Sequence, residues 1–330
     1  GSAGFIGYHT VQRLLKAGHR VFGIDNLNNY YDPELKISRL LSSGIARDAI
    51  SEAVPARSSL HPGYSFLRMD ISSDNAVEAL FTEGDFDCVI HLAAQPGARY
   101  SVENPESYIN TNIRGFFNIL EACRYHPPVH LVYASSSSIY GYNEKMPYAE
   151  GDMTDRPASL YGATKKSNEL MAYAYSRLYD IPMTGLRFFT VYGPWGRPDM
   201  AYFKYTRAIL EGKPIDVYNH GQLKRDFTFI DDIVGGIMAV MDIIPPAEEP
   251  HRVFNIGNSE PVILIEFINT LEKILGKKAV RNMLPMQQGD VPVTFADTSK
   301  LEDYCGYKPY TSLEDGLRKF TAWYLEKYKQ

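Results

Sequence analysis

Gly1-Ser2-Ala3-Gly4-Phe5-Ile6-Gly7 opens the chain, and its reading decides the fold. The three glycines recur at every third position and run into a helical pattern of Val11, Leu14 and Leu15 that stops at Gly18. A turn of this spacing lets backbone N–H groups approach a pyrophosphate, whose charge a helix N-terminus favours. Val21-Phe22-Gly23-Ile24 then reads as a strand, with Asp25 at its end. A carboxylate about 20 residues beyond the turn accepts hydrogen bonds from both ribose hydroxyls and repels a 2′-phosphate. Asn26 follows, not arginine, so the dinucleotide expected is NAD and not NADP. Such a turn normally follows the central strand of its sheet, and nothing precedes Gly1. The first strand is therefore expected to be missing, through an N-terminal fragment or a mis-assigned start.

The second signal is Tyr161-Gly162-Ala163-Thr164-Lys165. Positions i and i+4 share one helix face, so the phenol and the ammonium point the same way. A free tyrosine titrates near ~10, and a cation held beside it moves the phenolate toward working pH. Upstream, the apolar run Val129 to Tyr133 reads as a buried strand that ends in Ser135-Ser136-Ser137-Ser138. A strand end rich in hydroxyls, followed by a helix carrying Tyr and Lys, is a proton-transfer site in outline. On its own the Tyr–Lys spacing equally describes a solvated surface pair; its neighbours decide for the site.

Apolar strand runs alternate with helical patterns through Arg187, as a parallel sheet with crossover helices requires. Ser65 to Met69 ends in Asp70, and Cys88 to Leu92 leads to Ala93-Ala94, small residues that let a cofactor lie against the backbone. Ile109, Ile113, Phe116, Phe117 and Leu120 mark one face of a helix, which Asn112 interrupts. After Arg187 the rhythm breaks: Thr190 to Met200 and Ile215 to Arg225 read as loops over a ligand, and Thr228 to Met241 returns to the sheet domain. Val253 to Gly257 reads as a further strand. The fold expected is an α/β, Rossmann-type doubly wound parallel sheet with a smaller C-terminal substrate-binding domain. Residues 1–187 plus 227–258 are expected to form the NAD-binding domain, and 188–226 plus 259–330 the substrate-binding domain.

Composition excludes several classes. With 330 residues, 45% of them hydrophobic, the chain can build a large core. A net charge of −5 gives no reason to expect nucleic acid or an anionic membrane. Cys88, Cys123 and Cys305 lack metal or redox spacing and read as buried thiols of a reducing, cytoplasmic compartment. His126 and His130 have two prolines between them, so no helix presents them to a metal, and no metal site is expected. No apolar run is long enough to span a bilayer.

With these segments in view, the chain resembles an extended short-chain dehydrogenase/reductase and, within that superfamily, the UDP-glucuronate 4-epimerases. The resemblance rests on GSAGFIG, GIDNLNNYYD, HLAAQPGARYSVENP, YINTNIRGFFNILEA, YASSSSIYG, SLYGATKKSNE, RFFTVYGPWGRPDMA, KRDFTFIDDI and QGDVPVTFAD, which together span nearly the whole chain. DNLNNYYD and GPWGRPDMA are the most telling for the subfamily. The chain departs from the pattern in its absent first strand and in a longer polar connection, residues 42–59, expected to be a surface excursion. Gln287-Gln288-Gly289-Asp290 also lacks the arginine that UDP-galactose 4-epimerases carry there.

The resemblance implies a division of roles. NAD would be held by Gly1, Gly4, Phe5, Ile6, Gly7, Asp25, Asn26, Asp70 (beside the adenine), Ile71, Leu92, Ala93, Ala94, Asn112, Tyr161 and Lys165. For Asn112 a solvated surface side chain is the other reading of the spacing. The UDP-sugar would be held by Arg99, Ser136, Ser137, Ser138, Thr190, Arg197, Tyr218, Arg225, Gln287 and Asp290. Among these, Arg225 matches the diphosphate-binding arginine, Tyr218 the aromatic against uracil, and Arg197 the fork that takes a C6 carboxylate in two hydrogen bonds. An ordinary surface charge, for the arginines, and a locally packed ring, for Tyr218, are the plain alternatives. A homodimer through a four-helix interface is also implied.

The implied reaction is C4 epimerisation of UDP-glucuronate to UDP-galacturonate through a 4-keto sugar. Tyr161 is the base, Lys165 tunes it, and Ser136 bonds the C4 oxygen, with Ser137 or Ser138 in reserve because the serine run blurs the register. Related decarboxylases and dehydratases carry an acid just after the strand-end hydroxyls, where this chain has Ser137, Ser138 and Ile139; epimerisation is therefore expected over elimination. The rivals are a UDP-glucose or UDP-N-acetylhexosamine 4-epimerase and, from another class, a catalytically silent NAD-binding regulator. A regulator of that kind usually loses the Tyr or the Lys, and both are present. Tyr161→Phe is expected to abolish turnover while sparing NAD binding, measured by product assay beside cofactor retention; retained turnover would refute Tyr161 as the base.

Overall fold

The computed structural model describes residues 1–286 and 291–328. The chain begins with α1 (Phe5–Lys16), β1 (Val21–Asp25), α2 (Pro33–Ser42), β2 (Ala56–Arg57), β3 (Tyr64–Arg68), α3 (Asp74–Glu83) and β4 (Cys88–His91). Then come α4 (Tyr100–Glu103), α5 (Pro105–Tyr108), a π-helical turn (Ile109–Gly115), α6 (Phe116–Tyr125), β5 (His130–Ser136), α7 (Leu160–Tyr179) and β6 (Met183–Phe188). The remainder is β7 (Thr190–Tyr192), α8 (Ala201–Glu211), β8 (Pro214–Val217), β9 (Lys224–Phe229), α9 (Ile230–Met241) and β10 (His251–Ile256). It closes with β11 (Pro261–Ile263), α10 (Leu264–Leu275), β12 (Val280–Met283), β13 (Val293–Thr294), α11 (Ser299–Cys305) and α12 (Leu313–Tyr328).

Two compact units result: residues 1–143, 153–187 and 237–254, and residues 144–152, 188–236 and 255–330. In the first unit the strands form a ladder β1-β3-β2 and a ladder β10-β6-β5-β4. The pairs β1–β3 and β4–β5 are parallel, as crossover helices dictate. The chain start lies beside both ladders: Ser2 N–H donates to the Ile24 carbonyl at 3.0 Å. On its other side, a Cβ on Gly1 would stand 2.6 Å from the Ala93 nitrogen. One core packs α3, α6 and α7 on the second ladder through Val77, Phe81, Phe116, Leu120, Leu131 and Met183. Another joins α1 and α2 to the first ladder through Ala3, Val11, Leu40, Tyr64 and Phe66.

Two sequence expectations need correction, and a third gains detail. The helix face of Ile109, Ile113, Phe116, Phe117 and Leu120 is not one face. Phe116 and Leu120 are buried; Ile109, which opens the π-helical turn, is 47% exposed, and Phe117, next to Phe116 and about 100° round α6 from it, is 40% exposed. The connection over residues 42–59 runs mostly exposed, as expected, and its residues Ala56–Arg57 add an antiparallel edge strand to β3, with Ser58 Oγ tied back to the Ser43 carbonyl at 2.7 Å. The segments expected as loops over residues 190–200 and 215–225 contain strand. Thr190–Tyr192 pairs with Phe227–Phe229, and Ile215–Val217 with Arg281–Met283.

In the second unit β9 is central, flanked by β11 and β13 and paired also with β7. Its register is locked by a buried carboxylate. Asp226 accepts from the N–H groups of Asn258 (2.7 Å), Ser259 (3.0 Å) and Ala296 (3.1 Å) and from the Thr228 hydroxyl (3.0 Å). Burial still holds its pKa above the ordinary carboxylate value. A second 2-stranded sheet pairs β12 with β8.

The strand that carries the serines is fixed at its start by a neutral histidine. His130 is buried, with Nδ1 3.0 Å from the Met241 carbonyl and Nε2 2.9 Å from Thr184 Oγ1. Nδ1–H donating and Nε2 accepting is the neutral tautomer, and burial lowers the pKa below the ordinary imidazole value. A depressed folded-state pKa means that the unfolded chain takes up the proton first. The stability this residue contributes is thus complete above the unfolded value of about 6.5 and is lost as pH falls below it. His130→Gln, which keeps a donor and an acceptor without the charge, is expected to flatten part of the stability loss between about pH 6.5 and 5. Urea unfolding at stepped pH measures this; parallel wild-type and variant curves would contradict it.

Candidate active site

The glycine turn is built as a close approach of backbone to backbone. Gly4 N–H donates to the Gly1 carbonyl at 3.0 Å, and a Cβ on Gly7 would fall 2.0 Å from that same carbonyl oxygen. Any side chain at position 7 would force the turn open. Gly4 is the N-cap of α1 and gives no side-chain cap, so the helix's first N–H groups face the turn uncapped by protein side chains. An anion is what such a terminus takes. Ala3 is pinned from behind by Arg39, a fully buried guanidinium whose Nη1 donates to the Ala3 carbonyl at 2.8 Å and to Tyr31 Oη at 2.9 Å.

Asp25 ends β1 as expected, 5% exposed, and accepts from the Leu27 N–H at 2.9 Å. No sequence motif announces its other partner: Lys36, on α2, places Nζ 3.1 Å from Asp25 Oδ1 and 3.1 Å from Asn28 Oδ1. Burial would raise the Asp25 pKa, and the Lys36 cation outweighs it, so the carboxyl sits below its ordinary value. Asn26 Nδ2 donates to Asp70 Oδ2 at 2.9 Å, which joins the ends of β1 and β3. Ile71 is buried directly after Asp70. Leu92, Ala93 and Ala94 follow β4, half-buried. This cradle (glycine turn, uncapped helix end, strand-end carboxylate) has the donor and acceptor set that a dinucleotide requires.

The catalytic candidates converge on the end of β5. α7 starts at an N-cap, Ser159, whose Oγ accepts from the Gly162 N–H at 3.1 Å. Gly162 lets the first turn press on the serines: a Cβ there would meet the Ser138 carbonyl at 2.6 Å. That packing sets Tyr161, partly exposed, beside the serine turn. Lys165, one turn on, is buried and donates to the Ala134 carbonyl on β5 at 2.9 Å. Burial alone lowers its pKa to about 8. Ser136, the last strand residue, is buried, and its Oγ accepts from the Ser138 N–H at 3.2 Å. Ser137 and Ser138 lie in the following 3-10 turn, where the chain leaves the strand. Ser135 serves the scaffold, since its Oγ donates to Glu169 Oε1 at 2.6 Å.

Glu169 carries no motif that marks it in the sequence, yet it anchors the arrangement. Arg187 binds it with Nε at 2.8 Å and Nη2 at 2.9 Å, both side chains 5% exposed, and reaches Tyr140 Oη through Nη1 at 2.8 Å. A bidentate pair this deep ties α7, β5, β6 and the serine turn together, and breaking such a pair costs ~3–5 kcal/mol.

Asn112 is not a solvated side chain. It is buried at the middle of the π-helical turn, where its Oδ1 accepts from the Gln95 N–H at 2.7 Å and its Nδ2 donates to Thr164 Oγ1 at 3.0 Å. Asn168 Nδ2 donates to its carbonyl at 2.6 Å. The turn thus joins the loop after β4 to the Tyr161–Lys165 helix. The ring of Tyr108, fully buried, meets Tyr161 edge-on with centroids 6.1 Å apart. Arg99, in the same loop region, is exposed at the start of α4.

The remaining sugar-side candidates belong to the second unit. Thr190 begins β7, and Tyr218 opens a 3-10 turn in which Asn219 and His220 adopt left-handed backbone. Arg225, on β9 beside the locked Asp226, donates through Nη1 to the Lys224 carbonyl at 2.9 Å. Arg197 is held by Asp199, Nε to Oδ1 at 3.0 Å and Nη2 to Oδ2 at 2.5 Å. Gln287 and Asp290 lie outside the described residues. No group of His, Cys, Asp and Glu suited to a metal occurs among the described residues, and no helix among them is long and apolar enough to cross a membrane.

Comparison with known proteins agrees with this geometry. The model of the NAD dependent epimerase/dehydratase family matches residues 1–257. A probable UDP-glucuronate 4-epimerase of Rhizobium meliloti is 45% identical, over 100% of this chain and 97% of its own length. UDP-glucuronate 4-epimerase 2 of Arabidopsis thaliana is 46% identical, over 100% of this chain and 76% of its own. The crystal structure of a Bacillus cereus UDP-glucuronic acid 4-epimerase, in complex with UDP-glucuronic acid and NAD, superposes with a TM-score of 0.88 at 35% identity, covering 99% of this chain and 98% of that one. A glycine turn feeding an uncapped helix, a strand-end carboxylate and a Tyr–Lys helix pressed on strand-end serines thus occur in a chain matched along most of its length, and the protein belongs to the NAD dependent epimerase/dehydratase family.

Proposed function

We propose that this protein interconverts UDP-glucuronate and UDP-galacturonate by inversion at C4, using bound NAD. The observation that carries the reading is the buried Lys165 on the same helix face as Tyr161, pressed on the serines of β5. It stands in a chain 45% identical over its whole length to a probable UDP-glucuronate 4-epimerase. The cradle of Gly1–Gly7 and Asp25 is the part that would hold NAD, which when bound supplies a reversible hydride acceptor at C4 and is returned unchanged.

Tyr161 takes the C4 hydroxyl proton and gives it back. Lys165, protonated below about 8, favours the phenolate and would hold the nicotinamide ribose. Ser136 hydrogen-bonds the C4 oxygen; Ser135 is committed to Glu169, which removes it from that role and leaves Ser137 and Ser138 as the alternatives. Arg225 and Tyr218 hold the diphosphate and uracil while the 4-keto sugar turns its other face, and Arg197 takes the C6 carboxylate. Arg99, Thr190, Gln287 and Asp290 complete the sugar side. On this reading the first unit serves as the NAD-binding part and the second as the nucleotide-sugar-binding part, with residues 144–152, 227–236 and 255–258, expected in the NAD-binding domain, grouped in the second.

A 4-keto-6-carboxylate is a β-keto acid, which loses carbon dioxide when its C5–carboxylate bond stands perpendicular to the carbonyl plane. A forked hydrogen bond from Arg197 restrains that rotation. With Ser137, Ser138 and Ile139 where an acid would deprotonate C5, the site is suited to returning the sugar intact.

A homodimer goes with this reading. Leu170, Tyr173 and Leu178 on α7 are 59%, 56% and 70% exposed, and Phe117 on α6 40%, a run of large apolar side chains of the kind that a second copy covers. Free thiols at Cys88, Cys123 and Cys305 suit the reducing cytoplasm.

Incubation with UDP-glucuronate and no added reductant, resolved by anion exchange or NMR, tests the function. UDP-galacturonate without UDP-pentose is expected. A UDP-pentose as the main product would make the protein a decarboxylase, and turnover of UDP-glucose alone would make it an epimerase of neutral sugars. No turnover of either would leave an NAD-binding protein without this chemistry.

A further inference from the structure

The loop that carries Arg197 is more rigidly built than a surface loop needs to be. Trp195 occupies the left-handed backbone region at φ 59°, which a non-glycine residue keeps only where its surroundings enforce it. Here the Trp195 ring lies 5.4 Å from that of Trp323, with Lys327 Nζ 4.5 Å above it. Gly196 leaves room for no side chain, since a Cβ would fall 2.0 Å from Tyr202 Oη. That same hydroxyl accepts from the Arg197 N–H at 3.1 Å. The Arg197 carbonyl in turn accepts from the Met200 N–H at 3.3 Å, so its backbone is fixed on both sides. Its guanidinium is fixed as well, by the two parallel hydrogen bonds to Asp199, with the two side chains 21% and 28% exposed.

A guanidinium has two edges that each bind a carboxylate in forked geometry: Nε with one Nη2 hydrogen, and Nη1 with the other. Asp199 takes the first. We propose that Asp199 is a positioning residue for uronate recognition: by holding the Nε–Nη2 edge it sets the plane in which the Nη1–Nη2 edge meets the substrate's C6 carboxylate. This inference rests on the assignment of Arg197 to that carboxylate. An arginine on its own flexible stem would lose rotamer freedom on binding, and an arginine already held in plane does not. The rigid loop and its internal carboxylate thus serve discrimination between a sugar acid and a neutral sugar, and not retention of UDP, which both ligands share.

The test is the binding of two nucleotide sugars to the NAD-loaded protein by calorimetry. UDP-glucose, which lacks the carboxylate, serves as the reference for fold and for the UDP end. Asp199→Asn is expected to weaken UDP-glucuronate about tenfold or more while leaving UDP-glucose within about twofold, so that the preference for the acid collapses. Equal weakening of both ligands would make Asp199 a general support of the loop and overturn the proposal. An unchanged ratio would overturn it, and so would tighter UDP-glucuronate binding, which would show Asp199 to be a competitor for Arg197. Asp199→Ser repeats the comparison with a side chain too short to reach the guanidinium, which guards against a local misfold caused by asparagine. A wild-type protein without any preference for UDP-glucuronate would instead remove the role of Arg197 itself.

Discussion

Lys165 is a cation taken out of water, and buried polar networks brace the helix that carries it. Burial brings its pKa to about 8, yet it is protonated at neutral pH, where it reaches the Ala134 carbonyl. A buried ammonium makes an anion in its neighbourhood worth more than the same anion in water, because the local dielectric is low. On the proposed reading, the phenol of Tyr161, one helical turn away, is the group that gains. What keeps the lysine in place is not its own bond alone. Glu169 and Arg187 clamp the next turn of α7 to β5 and β6, and Asn112 and Asn168 clamp its other side to the π-helical turn. Each clamp is a fully buried polar network, costly if half-made and rigid when complete.

Much of this is legible in the sequence, because the signals are local. The glycine spacing, Asp25, the strand of residues 88–92 and the Tyr161–Lys165 pair all report interactions within one element or between neighbouring ones, and they stand where expected. What the sequence hides is set by partners far along the chain. Lys36 reads as one charge in an amphipathic helix until Asp25 is seen 3.1 Å away, and Arg39 likewise until the Ala3 carbonyl is found beneath it. Glu169 and Arg187 are 18 residues apart in sequence and carry no motif that announces a pair. A sign exists for Lys36 and Arg39, since both fall on the face of α2 that follows the N-capping Asp32, but face alone does not name a partner.

The π-helical turn shows a different limit. Counting in steps of 3.6 presumes a constant phase, and one wide turn breaks it. Ile109 and Phe117 have the spacing of core residues and are exposed, whereas Phe116 and Leu120 are buried as that spacing predicts. The turn also draws Asn112 inward and so buries a polar residue, whereas Phe117 lies in regular helix beyond it, one residue off the buried face. In the second unit the short strands β7 and β8 escape a reading of the sequence because Gly, Pro and aromatic residues around them resemble loop composition, and their pairing is with β9 and β12, distant in sequence. Composition reports solvent exposure well and distant ladders poorly.

If a buried lysine makes Tyr161 a base near neutral pH, the phenol itself must titrate early. Ultraviolet difference titration of the NAD-loaded protein tests this most directly, since phenolate absorbs where phenol does not. One tyrosine is expected to ionise well below ~10 in the wild type, to be absent from Tyr161→Phe and to move upward in Lys165→Met. A wild-type titration with no low-lying tyrosine, or one unchanged by removal of the lysine, would contradict it.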